Sequence, residues 1–576
     1  MSQTADGNEI RWREWSKEAF DEAAREGKLV LLDLTAVWCH WCHVMDETTY
    51  SDAEIAKSIN DNFVPVRVDI DRRPDVAERY NRGGFPTTAF LSDRGESIWG
   101  ATYVPPADMK RIIRSVLEAE NSGEVEAALE RSRMQYLDLS KALEKKSTAD
   151  SGFVDALFED IFATYDVEFG GFGVAPKFPH PEVIDLLNRR YAQDKDKELS
   201  DAVQHTLDQI LKGLYDPVEW GVYRYSVTRD WTEPHYEKML DTNAGMLRNL
   251  ARAHTTLGHQ RYRDGAAGIA TYLLKVLREP ESGGFYGSQD ADEEYYKLDA
   301  KGRAERRPPS VDKHIYANWN AEAVSALTEA GALLAEREWV DAAKAAWDYS
   351  ITHLWNEDRG LIEHTDGQEI YFFEDQTALL ESLVSVLEIG NDGRLFVLGR
   401  KLVEGVEKAF ADDEGGYDDI MKSEDAIGEL GSPRRSLVAN SRWARAMALF
   451  GIASHDVDLI QKAWKVVMAF EPKEVESYGL FAADYITAWW ALENGPTLVE
   501  VHNAKEHDPL RSRLWLAAKK TLSPGIVTVV AADEGLRTGH SENEFAVVCT
   551  RSGCSNEIAT PAALEEKLRP VHSSQA

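Results

Sequence analysis

Across roughly the first hundred residues apolar positions fall in short runs and alternations, whereas beyond Gly152 they recur at helical spacing in segment after segment. Trp15 to Glu26 has the spacing of an amphipathic helix, Leu29 to Leu34 is a short apolar strand, and from Cys39 onward the pattern is helix-compatible. Phe63 to Ile70 (FVPVRVDI) predicts a second strand and Asp75 to Tyr80 a short helix. After Gly83-Gly84-Phe85-Pro86-Thr87 come two further strands, Thr88 to Leu91 and ESIWGATYV, and a closing helix in PPADMKRIIRSVLEAE. The predicted order is α-β-α-β-α-β-β-α over residues 1–122, with a helical linker over 123–151.

From residue 152 to 495 the pattern predicts pairs of helices separated by glycine-plus-apolar turns. These are EFGGFG at Glu168, EWGVYR at Glu219, ESGGFYG at Glu281, EDRGLIEH at Glu357, DEGGYDD at Asp413 and ESYGLFA at Glu476. Helical stretches between turns include Val311 to Ala335 with Trp339 to Leu354, and Asp375 to Glu388 with Arg394 to Phe410. Six hairpins of this kind close naturally into an (α/α)6 toroid whose loops gather at one mouth. Residues 496–576 return to strands, LVEVHN, PGIVTVVAA and EFAVVCT, with a helix over Asp508 to Thr521. The expected fold class is therefore multidomain: an α/β domain, a central all-α toroid and a small C-terminal α/β segment.

The four cysteines form two close pairs, Cys39/Cys42 and Cys549/Cys554, which excludes a secreted disulfide scaffold. Cys39-His40-Trp41-Cys42 sits where a strand gives way to a helix, and helix N-terminal N–H groups favour thiolate over thiol. Cys39 is the expected nucleophile and Cys42, one turn further in, the expected resolving thiol. Protonated His40 or His43 would lower the thiol pKa further. Half of a zinc site and purely structural cysteines are the competing readings.

VLLDLTAVWCHWC resembles the active-site strand and turn of thioredoxins, and GFPT resembles their cis-proline loop. That resemblance implies a proton-relay role for Asp33 and a place beside the disulfide for Pro86. The dipeptide His40-Trp41 departs from the small Gly-Pro pair of thioredoxin itself. The longer string WCHWCHVM resembles the family named after spermatogenesis-associated protein 20, in which a thioredoxin-like domain joins a large helical toroid. APKFPHPE, YRYSVTRDWTEPHYEKMLDTNA, SQDADEE and the pair Cys549/Cys554 match that family as well.

The same stretches hold the densest polar cluster of the toroid. Pro234 reads as a helix start, with His235, Glu237, Lys238 and Asp241 in the first two turns and Glu237 and Asp241 on one face. Lys177, Arg224, Tyr225, His235, Asp241, Asp290 and Asp292 are candidates to surround a sugar or polyol. Asp241 with Asp290 or Asp292 would supply acid and base, and His235 a base for epimerisation. The plainer reading makes Glu237/Asp241 a solvated or capping pair, His235 a satisfied structural histidine, Asp290/Asp292 a loop-closing turn, and Trp220, Trp231 and Trp319 core. Asn318, Trp319, Asn320, Glu374, Asp375, Asn440 and Asp484 are second-rank mouth candidates.

Charge narrows the partners. Acidic residues outnumber basic ones by 99 to 65 in 576 residues, a formal charge of −34, which argues against nucleic acid and anionic lipid as ligands. Such an excess suits a salt-rich cytosol. The polar start MSQTADGNEIRWREW and the absence of any run of about 18 apolar residues predict a cytoplasmic protein. No cofactor or resident metal is expected. Three functions remain: a thiol–disulfide oxidoreductase working on a protein disulfide or with a thioredoxin-reducing partner, a sugar- or polyol-acting toroid, and a non-catalytic binding scaffold.

Overall fold

The computed structural model describes residues 9–139, 148–390, 392–504, 508–531 and 543–569, with backbone alone over 132–139. The chain divides into two compact units, Met1–Lys146 with Ile420–Arg434, and Ser147–Asp419 with Arg435–Ala576.

In the first unit β1 (Leu29–Thr35) pairs in parallel with β2 (Phe63–Asp69) and antiparallel with β3 (Thr87–Leu91). β4 (Ser97–Ala101) completes the sheet β2-β1-β3-β4. β1 is buried at every position but Thr35, as a central strand covered on both faces must be, which is why it reads as an unbroken apolar run. Around it lie α1 (Lys17–Glu26), α2 (His40–Met45), α3 (Ala53–Asn62), α4 (Pro74–Tyr80), α5 (Pro106–Ser122) and α6 (Glu124–Leu139). Leu31, Phe63, Phe90 and Ile113 are among the side chains that fill the core. The segment Ile420–Arg434 belongs to this unit although it lies far along the chain. Arg79 Nε donates to the Glu429 carbonyl at 3.0 Å, the Glu429 N–H donates to Tyr80 Oη at 3.1 Å, and Tyr80 Oη donates to the Gly95 carbonyl at 2.6 Å.

The second unit begins with α7 (Ser151–Ala163), α8 (Pro181–Asp194), α9 (Lys197–Gly213), α10 (Leu240–Leu257) and α11 (Gln260–Tyr272). After short α12 (Glu293–Tyr296) and α13 (Ala300–Ala304) come α14 (Ala317–Leu334), α15 (Arg337–Tyr349), α16 (Phe373–Ile389) and α17 (Arg394–Phe410). α18 (Leu437–Ala453), α19 (Val457–Met468), short α20 (Pro472–Ser477) and α21 (Ala483–Glu493) follow. α8, α10, α14, α16, α18 and α21 each pack on the next, and α21 returns to α8, so six inner helices form a closed ring. α9, α11, α15, α17 and α19 lie outside their partners, and α7 covers α21, so the sixth hairpin pairs the first toroid helix with the last. Inner helices are buried nearly all round, and α14 has fifteen buried residues.

The turns entering the inner helices reuse two devices. An acidic or amide side chain caps the turn: Asp166 accepts from the N–H groups of Glu168 and Phe169, Asp216 from Val218, Glu279 from Glu281 and Ser282, Asn356 from Arg359, and Asp412 from Glu414 and Gly416. An amide on the first turn of the inner helix then grips the backbone beyond the glycines: Asn243 holds Val222, Asn320 holds Phe285, Gln376 holds Ile362 and Asn440 holds Tyr417, each by N–H and by carbonyl. The sixth turn, ESYGLFA, differs: it contains a 3₁₀ turn at Gly479–Ala482.

Two predicted helices start later than expected. Val311–Asp312 is strand β9, and α14 opens only at Ala317. No helix starts at Pro234: Pro234–His235 is β6, paired with β5 (Tyr225–Ser226), and Lys238–Met239 is β7, paired with β8 (Ser288–Gln289), which pairs in turn with β9. The backbone there is spent on ladders, including the Arg224 N–H to the Glu237 carbonyl at 2.8 Å, and α10 begins at Leu240. Glu237 and Asp241 therefore do not share a helix face. β10 (Trp355–Asn356) and β11 (Leu361–Ile362) pair across the fourth turn.

The C-terminal segment holds β12 (Thr497–His502), α22 (Arg513–Lys519), β13 (Ile526–Val530), β14 (Phe545–Thr550), β15 (Gly553–Cys554) and α23 (Pro561–Leu568). Its sheet order is β13-β12-β14-β15, with β12 parallel to β13, antiparallel to β14, and β14 antiparallel to β15. This repeats the order and strand sense of β2-β1-β3-β4, again with a helix between the first two strands and one after the last. α22 and β13 pack against α14 and α16. Among the described residues no helix is long and apolar enough to cross a membrane.

Candidate active site

The dithiol lies at the end of β1. Cys39 is the N-cap of α2, and its Sγ accepts the Cys42 N–H at 3.2 Å. The two cysteines are joined as a disulfide with Cα atoms 5.2 Å apart. Both are buried, while Trp41 between them is 48% exposed. The Trp38 indole N–H donates to Asp71 at 2.6 Å, and its ring meets Phe85 edge to face at 6.4 Å. Phe85 precedes Pro86 through a cis peptide bond, as the resemblance to thioredoxins implied.

Asp33 is 1% exposed on β1. It accepts from Arg67 Nε at 2.7 Å and from the Tyr50 hydroxyl at 3.3 Å, and neither cysteine sulfur is among its hydrogen-bond partners. Burial pushes its carboxyl up to about 6, with Asp46 adding to the effect and Arg67 opposing it. Arg67 also pairs with Asp46 and lies over the Trp12 ring at 4.3 Å, so it is fixed from two sides.

In the toroid the predicted candidates divide. Lys177 is fully buried and donates to Asp166 at 2.6 Å and to the Arg229 carbonyl at 3.1 Å, which makes it part of the first turn. Lys238 repeats this arrangement with Asp216 and the Trp220 carbonyl, and burial lowers it to about 8. Asp290 binds the Ala291 N–H and Ser310, and Asp292 caps α12 at the Tyr295 N–H, so both serve their own loop. Trp231 is buried and bonds the Phe169 carbonyl, as core. Asn320 and Asn440 are turn clamps, and Asp375 binds His364 and the Asn318 N–H.

Arg224, Tyr225, His235, Glu237 and Asp241 do come together. Tyr225 stacks on His235 at 4.7 Å, and His235 Nδ1 bonds Glu237, which is fully buried with its second oxygen unpartnered. Phe178 stacks on Tyr225 at 4.7 Å, and Phe178, His180 and Phe481 continue the aromatic rim at 6.3 and 5.9 Å. Phe178 and Phe481 are exposed. Behind this rim burial raises Asp241 to about 6, helped by Glu322 and opposed by Arg224. Asp484 on α21 is also raised to about 6 by burial, against the pull of Arg442 and with Glu182 adding to it. Arg442 joins Glu322 at 2.8 Å and Glu381 at 2.7 Å. Glu182 lies in the APKFPHPE stretch of the polar cluster, whereas Glu322, Glu381 and Arg442 were missed in the sequence. Their only signal is charge inside helices that are otherwise apolar all round.

Cys549 and Cys554 face each other across β14 and β15 with Cα atoms 4.0 Å apart, Cys549 buried and Cys554 exposed. Among the described residues no group of three or more His, Cys, Asp or Glu is placed to hold a metal ion.

Comparison with known proteins agrees with the dithiol. A family model described as Thioredox_DsbH, protein of unknown function, DUF255, matches residues 2–143. Mouse spermatogenesis-associated protein 20 is 34% identical over 314 residues, 50% of this chain and 39% of that protein, so the match spans about two-fifths of the curated relative's length. Thioredoxin H7 of Arabidopsis thaliana is 40% identical over 101 residues, 18% of this chain and 74% of its own. Cellobiose 2-epimerase from Spirochaeta thermophila DSM 6192 has a TM-score of 0.47 and 16% identity, covering 59% of this chain and 96% of that one. With its thioredoxin-like domain ahead of a closed helical toroid in sequence, the chain is similar over about half its length to spermatogenesis-associated protein 20, and its first 143 residues match the thioredoxin-like family model.

Proposed function

We propose that the N-terminal unit is a thiol–disulfide oxidoreductase. The observation that carries this reading is Cys39 at the N-cap of α2, its sulfur receiving the Cys42 N–H and lying within bonding reach of the Cys42 sulfur. In the reduced protein the Cys39 thiolate attacks one sulfur of a substrate disulfide, forming a mixed disulfide and releasing the first substrate thiolate. Cys42 then gives up its proton and attacks the Cys39 sulfur, which closes the internal disulfide and releases the second thiolate. Two electrons pass from the dithiol to the substrate, and an external dithiol reductant restores the pair. Asp33, ionised above about pH 6, is the buried base on the Cys42 side. Pro86 and the exposed Trp41 flank the surface on which a protein substrate docks.

The test is turnover of a protein disulfide such as that of insulin, with dithiothreitol as reductant. Cys39→Ser is expected to fall to the uncatalysed rate, and Cys42→Ser, mixed with the oxidised substrate without dithiothreitol, to accumulate a mixed disulfide on Cys39 that a non-reducing gel detects and added reductant dissolves. Equal rates for wild type and Cys39→Ser would dismiss the proposal and leave the binding-scaffold reading.

A second reading, a sugar- or polyol-acting toroid, is favoured by Asp241 and Asp484. Two half-buried carboxyls held near 6 in the toroid are suited to acid and base work on a polyhydroxylated ligand. A panel of mono- and disaccharides screened by saturation-transfer NMR checks it: binding should weaken at least tenfold in Phe481→Ala, and a panel without hits rejects it.

A further inference from the structure

The end of the toroid opposite its mouth holds a second polar chamber. The inner helices' second halves and the loop after α22 enclose a cavity of about 90 Å³. Five cations line it, Arg189, Arg248, Arg252, Arg445 and Lys519, against three carboxylates, Glu329, Glu381 and Glu388.

Each carboxylate is already engaged. Glu329 receives both arms of Arg252 at 2.7 and 2.6 Å, Glu381 receives Arg445 at 2.6 Å as well as Arg442, and Glu388 receives Lys519 at 2.7 Å and the Thr528 N–H at 3.0 Å. Arg189 pairs with Asp185 at 3.0 Å and donates to the Leu522 carbonyl at 2.7 Å. Arg248 has no partner among the described residues, its Nε is buried and unsatisfied, and the buried Ser325 hydroxyl beside it is unsatisfied too. Arg248 is half-buried, and a guanidinium nitrogen buried without an acceptor is unfavourable, so the partner it lacks is an acceptor that carries negative charge. The neighbours agree: burial and the nearby Arg445 and Arg248 hold Arg189 down to about 9.

We propose that this cavity binds a tetrahedral oxyanion, phosphate or sulfate, free or as the terminus of a phosphate ester. Arg248 and Arg445 contribute guanidinium N–H donors, Arg189 adds positive charge, and the Ser325 hydroxyl donates the uncharged bond. The space is large enough for a small tetrahedral oxyanion among these donors. The site is independent of the dithiol.

The experiment uses the full chain at constant ionic strength, replacing KCl by potassium phosphate, with thermal melting and phosphorus-31 line width as readouts. Wild type should show a saturable rise in melting temperature with phosphate and none with added chloride. Arg248→Met removes a side chain that nothing leans on, so it should melt at or above wild type without phosphate and bind phosphate at least tenfold more weakly. Ser325→Ala should weaken binding several-fold and serves as the second variant. Glycerol 2-phosphate distinguishes the sources: binding as tight as phosphate assigns the ester form, and binding by phosphate alone assigns the free ion. A phosphate response equal in wild type, Arg248→Met and Ser325→Ala, or one reproduced by chloride, overturns the proposal.

Discussion

A carboxyl that is 1% exposed and titrates near 6, as Asp33 does, resists ionisation and so ties chemistry to stability. Its folded pKa lies above its ordinary value. The stability it contributes is therefore complete below about pH 4 and lost as the pH rises through 6. Asp33→Asn removes that loss. The variant is expected to gain on the order of 3 kcal/mol over wild type at pH 8 and little at pH 4, by chemical denaturation at the two pH values. In the mechanism proposed above, disulfide reduction should move the opposite way and slow at the resolution step, because Asp33 is the base assigned there to Cys42. The second dithiol makes a smaller claim. Cys549 and Cys554 are only five positions apart in sequence, so reducing their disulfide should cost about 2 kcal/mol, measured as a shift of the melting transition in a Cys549→Ser, Cys554→Ser double variant.

At the scale of elements, the inner helices and their turns depend on single side chains used repeatedly. Asn440 bonds the N–H and carbonyl of buried Tyr417 at 2.8 and 2.9 Å. Asn440→Ala leaves both groups unpaired and should destabilise by about 2–4 kcal/mol in denaturant melts, whereas a ligand-binding role would alter affinity and leave stability in place. Gly428 makes a comparable case in the first unit. Its φ is +56°, and an added Cβ would meet Tyr80 Oη at 2.3 Å and the Gly95 carbonyl oxygen at 2.5 Å. Gly428→Ala should therefore cost about 2 kcal/mol or more and detach the Ile420–Arg434 segment, read as faster proteolysis there. The glycine-plus-apolar turns were legible because each device is local, a glycine, a cap and an apolar residue within a few positions. The strands around Glu237 were not, because Pro234 followed by polar residues at three- and four-residue spacing satisfies a helix pattern, and only pairing with Tyr225–Ser226 and Ser288–Gln289 selects extended backbone.

For the whole molecule the governing quantity is a formal charge of −34. Self-repulsion of that size should make folding salt-dependent, since raising KCl from about 0.1 M to 1 M shortens the screening length from ~10 Å to ~3 Å. The melting temperature is expected to rise by several degrees over that range. An unchanged value would remove the case for a protein adapted to a salt-rich interior.

The sequence by itself determined the dithiol, its strand-to-helix setting, the hairpin rhythm of the toroid and the kinship, because each depends on residues close together in the chain. Tertiary structure alone decided the rest. Closure of the ring by α21 on α8, with α7 as the outer partner, joins the two ends of the toroid. Asp241, Glu322, Arg442 and Asp484 share one electrostatic environment although they sit on four different helices. The strands of the C-terminal segment were legible one by one, but their thioredoxin-like order was not, because the first of them carries no C-x-x-C and pairing alone sets the order. Local chemistry is written in neighbouring residues, whereas burial, pKa and pairing between distant elements exist only once packing has chosen which helices and strands face each other.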